Sequence, residues 1–333
     1  MNEGGTAPSH LVGALVSLGE IQAAAARVRP AARVTPLIEV AWAGAGTGRL
    51  FLKCENFQPM GAFKIRGAYN MLAQLSTEAL ARGVITYSSG NHGQAVALAA
   101  KLLGTKAVIV MPTTAPKVKV EGAQGFGAEV TFAGTTSLER KARAEEIAAE
   151  RSLTMVPPFD HAMIIAGQGT VGLEILDQCP DVATVVVEVG GGGLSSGVAA
   201  AIKQRKPDVR VVGVEPEGAA KMSRSLEAGT PVTLDRVSSI ADGLMTVRPG
   251  ELTFEHVKAF VDQVVTVTDA ETIRAIQWLY RHARLVVEPS GAVTTAAVML
   301  GRGGIDPSKG PVVAIVSGGN VEAAKYAEYI TAT

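Results

Sequence analysis

The chain reads as an α/β protein built on open parallel sheets, and three features of its 333 residues predict this. Apolar, β-branched runs alternate with helical patterns almost from end to end, as strands interleaved with covering helices do. Most strand runs are continuously apolar, as expected where helices cover both sheet faces. Polar or glycine-rich turns follow several runs directly, and open α/β sheets bind ligands beyond the carboxyl ends of their strands.

Taken in order, the first element is a helix. The apolar stretch 11–18 has no basic residues before it and is too short to cross a bilayer. Ser17-Leu18-Gly19-Glu20 instead has the spacing of a capping box. Strands are expected over 51–53, 84–87, 107–111, 129–132, 184–189, 209–214, 264–267 and 312–316. Helices are expected between them, including 137–151 and 269–284. A further helix begins after Lys64, with Ile65, Ala68, Met71, Leu72 and Leu75 on its apolar face. No internal repeat or low-complexity tract interrupts the pattern, and the length suits two lobes better than one core.

Composition excludes several function classes. Lys plus Arg equals Asp plus Glu at 31 each, so no net field favours nucleic acid or an anionic membrane. Two cysteines, Cys54 and Cys179, make no disulfide framework or zinc spacing, and a reducing, cytoplasmic location is expected. The five histidines have no metal-ligand spacing. The expected partners are therefore a small molecule and further copies of the chain, with no nucleic acid and no membrane.

Four segments carry the chemistry. In the first, Lys64 follows a Pro/Gly turn and opens a helix among apolar residues. The helix dipole and burial both oppose its ammonium form, which favours a neutral amine able to form a Schiff base. A surface lysine with its stem along apolar side chains would give the same local pattern. In the second, Ser88-Ser89-Gly90-Asn91-His92-Gly93 joins a strand to a helix, and such a turn offers free N–H groups to a carboxylate or phosphate. In the third, Gly190-Gly191-Gly192-Gly193-Leu194 follows a β-rich run, and four glycines suit a phosphate nest. It lacks both the Gly-Lys-Ser/Thr of a P-loop and the spacing of a dinucleotide site. In the fourth, Ser317-Gly318-Gly319-Asn320 follows the last strand. Each turn alone is common; the lysine, the anion loop and the terminal Ser-Gly-Gly in this order are far more specific.

On these segments the chain resembles the pyridoxal-phosphate enzymes of the tryptophan-synthase β-subunit fold (fold type II), and among them the threonine/serine dehydratases and serine racemase. The likeness runs from Thr35-Pro36-Leu37 to Asn320, and includes 240–243 and 288–291. The family's Ser-Phe-Lys stands here as Ala62-Phe63-Lys64, so the hydroxyl of the first position is absent. The resemblance implies a two-lobed fold, with a large lobe of residues 1–52 and 154–333 and an inserted small lobe of 53–153. The Pro157-Pro158 pair then marks a re-crossing.

It also implies roles. Lys64 would hold the cofactor as a Schiff base and remove the Cα proton. Phe63 would flank the cofactor, Asn91 would bond its ring 3-oxygen, and Gly190, Gly191, Gly192, Gly193 and Leu194 would bind its phosphate. Ser317 would face the ring nitrogen; a hydroxyl donates a hydrogen bond without forcing protonation, which implies a neutral ring. The amides of Ser88, Ser89, Gly90, Asn91 and His92 would hold the substrate carboxylate. Ser89 matches the acid/base on the opposite cofactor face in serine racemase.

The implied reaction is dehydration and deamination of L-threonine or L-serine to a 2-oxo acid and ammonia. Racemisation of serine, or dehydration of another β-hydroxy amino acid such as 3-hydroxyaspartate or a phenylserine, are the alternatives. Cysteine synthases carry threonine where His92 stands, which argues against β-replacement. The chain ends soon after Asn320, so a regulatory ACT domain is not expected, while a homodimer or homotetramer is. The family's divalent-cation site would use Glu215 and the Ala219 carbonyl, but Lys221 stands at the second carboxylate position. No metal is therefore expected, with the Lys221 ammonium a candidate to fill the place.

Overall fold

The computed structural model describes residues 15–41, 48–88, 90–115 and 117–332, with Val118 described by its backbone alone. Ten strands form two sheets: β1 (Leu37–Val40), β2 (Leu50–Cys54), β3 (Val84–Tyr87), β4 (Ala107–Met111), β5 (Glu129–Phe132), β6 (Thr154–Met155), β7 (Thr184–Glu188), β8 (Arg210–Pro216), β9 (Gln263–Val267) and β10 (Val312–Val316). The larger sheet has the order β1-β2-β10-β7-β8-β9 and the smaller β5-β4-β3-β6. Every pairing is parallel except β1 with β2.

Alternation along each strand feeds two cores. In the large sheet Val185, Val187, Val313 and Ile315 pack with apolar residues of helices Ala162–Gln178 and Gly193–Arg205. Val186, Ala314 and Val316 face the helix Pro289–Met299. The small sheet repeats the plan, with Val84, Ile109 and Met111 against the helices Ile65–Leu72 and Asn91–Leu102, and Ile85, Val108 and Val110 against Ser137–Arg151. Helices thus cover both faces of the central strands β4, β7 and β10, which is why those strands read as apolar runs.

Several expectations change at the level of elements. β1 is a short edge strand, partly exposed, and β6 has two residues; neither carries a readable period. β2 pairs Lys53 and Cys54 into the large sheet, and β6 pairs Thr154 and Met155 into the small one. The 269–284 helix is α-helical over Asp269–Trp278, then passes through a π turn, Leu279–Ala283, into a left-handed Arg284. The helix after Lys64 stops at Leu72, and all eight of its residues are buried rather than one face of them. It is held between Ala162–Gln178 and Asn91–Leu102. Close approach there needs glycine: a Cβ on Gly167 would lie 2.6 Å from the Arg66 carbonyl oxygen. The Ser17–Glu20 capping box forms as the sequence indicates.

Candidate active site

The lysine segment is held against the turn after β10. The Phe63 amide donates to Ser317 O (3.0 Å), Gly319 N to Gly61 O (2.9 Å), and Asn320 Nδ2 to Met60 O (2.9 Å). Gly61, at φ +78°, makes this approach possible, because a Cβ there would meet Asn320 Oδ1 at 2.3 Å. Ala62, where the family has serine, is wholly buried and bridges to Gly318. Lys64 then sits at the N-terminus of Ile65–Leu72. Its Nζ donates to Pro158 O (2.7 Å) and lies 5.2 Å from the centre of the Phe63 ring. Burial alone lowers its pKa to about 8, so a sizeable neutral fraction exists near neutral pH.

The glycine loop forms the opposite wall. Gly192, at φ +99°, precedes the helix Gly193–Arg205, whose N-terminus therefore lies in the loop. Three carbonyls in and beside the loop are already engaged: Val189 O accepts from Lys221 Nζ (2.9 Å), Gly191 O from Thr253 Oγ1 (2.7 Å) and Gly192 O from Ser196 N (2.8 Å). Amides at a helix N-terminus lack intrahelical partners, so the loop offers donors while its Gly191 and Gly192 carbonyls are satisfied. Side chains are excluded by contact, since a Cβ on Gly191 would fall 2.4 Å from the aromatic ring of Phe159. These elements enclose a cavity of about 400 Å³ lined by Phe63, Lys64, Ser88, Gly90, Asn91, His92, Gly190 to Leu194 and Ser317, among others. The structure thus brings together every described site residue that the sequence singles out. Ser89 lies outside the described residues.

In the substrate loop, Gly90 is the N-cap of Asn91–Leu102. The Asn91 side chain turns to Glu288 and Asn320: its Nδ2 donates to Glu288 Oε1 (2.6 Å) and its Oδ1 accepts from Asn320 Nδ2 (2.8 Å). One Nδ2–H is left over by this arrangement. His92 is buried and its pKa is lowered to about 3, chiefly by burial and then by Lys64. Nε2 lies 3.1 Å from Val156 O, so it carries the proton, and Nδ1 is a buried acceptor without a hydrogen-bond partner. Ser88 Oγ accepts from Gly90 N (3.2 Å).

Two carboxyl groups in the cavity wall, one of them in the 288–291 segment, were given no role by the sequence reading. Glu288, at the start of Pro289–Met299, is buried, and burial followed by the nearby Asp242 raises its pKa to about 8. Glu188, the last residue of β7, is also buried; its Oε1 accepts from Ser317 N (3.2 Å), and its Oε2 has no hydrogen-bond partner. Burial raises its pKa well above the carboxylate range. Each stands alone as an acid in a β-branched run, Val185-Val186-Val187-Glu188-Val189 and Leu285-Val286-Val287-Glu288, and that was the available signal. At the cavity rim Lys119 pairs with Asp242, tying the segment that carries the small sheet to the turn Asp242–Leu244.

Behind the glycine loop, Lys221 and Glu215 are both fully buried. The ammonium reaches Val189 O (2.9 Å), Ala219 O (3.0 Å), Leu244 O (3.0 Å) and Glu215 Oε1 (3.1 Å). Glu215 also accepts from Met222 N, Ser223 N and Ser223 Oγ. Burial lowers the Lys221 pKa against the upward pull of Glu215. No cluster of metal-ligating side chains occurs among the described residues.

A family profile described as pyridoxal-phosphate dependent enzyme matches residues 28–318. The catabolic L-threonine dehydratase TdcB of Staphylococcus aureus (strain N315) is 44% identical over 313 residues, covering 92% of this chain and 90% of that protein. The biosynthetic L-threonine dehydratase IlvA of Pasteurella multocida is 44% identical over 273 residues, which are 82% of this chain; the match spans about half, 53%, of that longer protein. The structure of maize serine racemase superposes with a TM-score of 0.90 at 38% identity, covering 95% of this chain and 97% of that one.

Proposed function

Since the chain belongs to the pyridoxal-phosphate-dependent enzymes, we propose that it dehydrates and deaminates L-threonine, L-serine or both to a 2-oxo acid and ammonia. The observation that carries this is Lys64: an amine kept partly neutral by burial, facing a glycine loop whose Gly191 and Gly192 carbonyls are occupied elsewhere. The residues fit the cofactor. The loop and the N-terminus of Gly193–Arg205 offer amide donors to a phosphate, no loop side chain could share the space with Phe159, and Lys64 is available to an aldehyde. When bound, the pyridoxal ring supplies an electron sink for charge developing at a substrate Cα.

The chain's own residues divide the remaining work. Gly190 to Leu194 would hold the phosphate; the spare Nδ2–H of Asn91, its amide oriented by Glu288 and Asn320, would bond the ring oxygen, and Phe63 would flank the ring. Ser88, Gly90, Asn91 and His92, with Ser89, present the start of Asn91–Leu102 to the substrate carboxylate. Lys64 takes the Cα proton, and the β-hydroxyl leaves as water. The released enamine hydrolyses, taking up one water, to the 2-oxo acid and ammonia. The segment 53–153 acts as the lobe that brings the carboxylate loop to the cofactor lobe. Two buried unpaired cysteines, Cys54 and Cys179, support a reducing, cytoplasmic setting.

The likeness to maize serine racemase favours inversion of serine as a second reading, with Ser89 the acid/base opposite Lys64. One panel decides between them: β-hydroxy amino acids scored for 2-oxo acid, ammonia and the enantiomer of residual substrate. Threonine or serine giving stoichiometric 2-oxo acid supports dehydration; inversion of serine without ammonia would replace that reading.

A further inference from the structure

Glu188 is a polar group without a task in the reading above, on which this inference rests. It ends β7, directly before the glycine loop, and it borders the same cavity as Lys64 and Ser317. Oε1 is tied to the Ser317 amide at 3.2 Å, which fixes the carboxyl beside the residue expected to face the ring nitrogen. Oε2 is buried and has no hydrogen-bond partner. A buried carboxyl with one idle oxygen is costly, and in a cavity wall it marks a group awaiting a ligand atom.

We propose that Glu188 is the second hydrogen-bond partner of the cofactor's ring nitrogen, next to Ser317, and that it supplies the proton this nitrogen carries in the holoenzyme. The assignment follows from proton availability. Burial favours the protonated form of Glu188, with the Glu288 carboxyl adding repulsion when ionised; hydrogen bonds from Ser317 and its own backbone oppose this. A serine hydroxyl can share its proton but not surrender it, whereas a carboxyl can do both. In the transfer the Oε2–H bond breaks, an N–H bond forms on the ring, and the carboxylate left behind pairs with the ring cation. Net charge in the cavity is unchanged. A cationic ring withdraws electrons more strongly than a neutral one, so Glu188 converts the modest sink implied by Ser317 alone into a strong one.

The test reads the nitrogen itself. Wild-type protein and the Glu188→Gln and Ser317→Ala variants are loaded with pyridoxal phosphate labelled with ¹⁵N in the ring, and nitrogen spectra of the holoenzymes are recorded. Borohydride reduction and peptide mapping on the same samples come first. A label on a lysine other than Lys64 sinks the reading of the site and this inference with it. With Lys64 labelled, the inference expects a protonated-ring shift in wild type and in Ser317→Ala, and an unprotonated shift in Glu188→Gln, whose amide cannot give up a proton. An unprotonated ring in wild type overturns it without recourse to any variant. A ring still protonated in Glu188→Gln, or unprotonated in Ser317→Ala, assigns the proton elsewhere and overturns it equally.

Discussion

Two clusters of buried ionisable side chains flank the Ile65–Leu72 helix, and they differ in how completely their charges are met. In the first, Arg66 donates to both oxygens of Glu55 (2.7 Å each) and both of Glu174 (2.6 and 2.9 Å). Lys53 Nζ completes it, reaching Thr35 O, Glu174 Oε2 and Gln178 Oε1. Burial raises the Glu55 pKa, but Arg66 outweighs it and the carboxyl stays ionised. In the second cluster, Lys64, His92, Glu188 and Glu288 are shifted toward their neutral forms mainly by burial, and His92 and Glu188 each keep an idle buried atom. Burial is therefore not what marks a functional charge in this protein. The satisfied cluster joins β2, the lysine helix and the helix Ala162–Gln178 into one frame. The unsatisfied one, two residues along the same segment, keeps reactive groups poised.

The largest effect that could break this contrast is on turnover. Lys64→Ala should lower kcat by on the order of 10³ or more, since it removes both the cofactor's anchor and the base. Unfolding stability of the cofactor-free protein should not fall, because the desolvation cost of the buried amine offsets its one hydrogen bond to Pro158 O. Steady-state kinetics together with urea unfolding check both halves; a variant as destabilised as it is inactive would place Lys64 in the structural class.

Arg66→Ala should show the reverse pattern in stability. It removes the cation that joins Glu55 to Glu174 and leaves Lys53, which bonds Glu174 alone, to balance both carboxylates; breaking a buried pair in this way costs about 3–5 kcal/mol. Denaturant midpoints of the cofactor-free protein measure it. A loss below about 1 kcal/mol would mean that the network is incidental to the frame.

A smaller effect separates the clusters by pH. Glu288 has a folded pKa of about 8, above its unfolded value, so its contribution is present at low pH and is lost as pH rises through 8. His92 acts in the opposite sense but only below its ordinary range, since its folded pKa is about 3. Between about pH 6.5 and 8, where His92 no longer opposes it, the Glu288 decline is expressed, with Glu188 acting in the same sense. Glu288→Gln should remove a decline of up to about 1.4 kcal/mol per pH unit over that window in the cofactor-free protein. Parallel stability curves for variant and wild type would show that Glu288 does not titrate as its burial requires.

The contrast also explains what could be read from the sequence. Strands β3, β4, β5 and β10 are legible to the residue: β4 and β10, covered on both faces, leave unbroken apolar runs, while β5, a partly exposed edge strand, shows only as a short stretch between helical patterns. Lys64, the glycine loop and Ser317 are legible because their chemistry needs particular residues at strand ends. Arg66 is not: its partner Glu174 is 108 residues away, and nothing local distinguishes it from a solvated arginine. Glu188 and Glu288 were visible as lone acids in apolar runs, but only the cavity gives that oddity a meaning. The π turn after Trp278 replaces a helix whose period continues unbroken in the sequence.

The smallest expected effect is none at all, and it tests whether Lys221 belongs with the satisfied cluster. Its ammonium has three carbonyls and Glu215 within 3.1 Å, four acceptors around three N–H donors, so every donor is spent and all four oxygens already face a cation. A divalent ion would have to enter beside a buried positive charge, and carboxylates supply most of the binding charge such ions need. The ammonium does the work of an ion by bridging Val189, which precedes the glycine loop, to Leu244 on the cavity wall. Thermal unfolding and turnover should therefore be unchanged by EDTA and by added magnesium. A saturable rise in either with magnesium would show that the Lys221 ammonium yields its place, and that this cluster, unlike the Arg66 frame, is not closed.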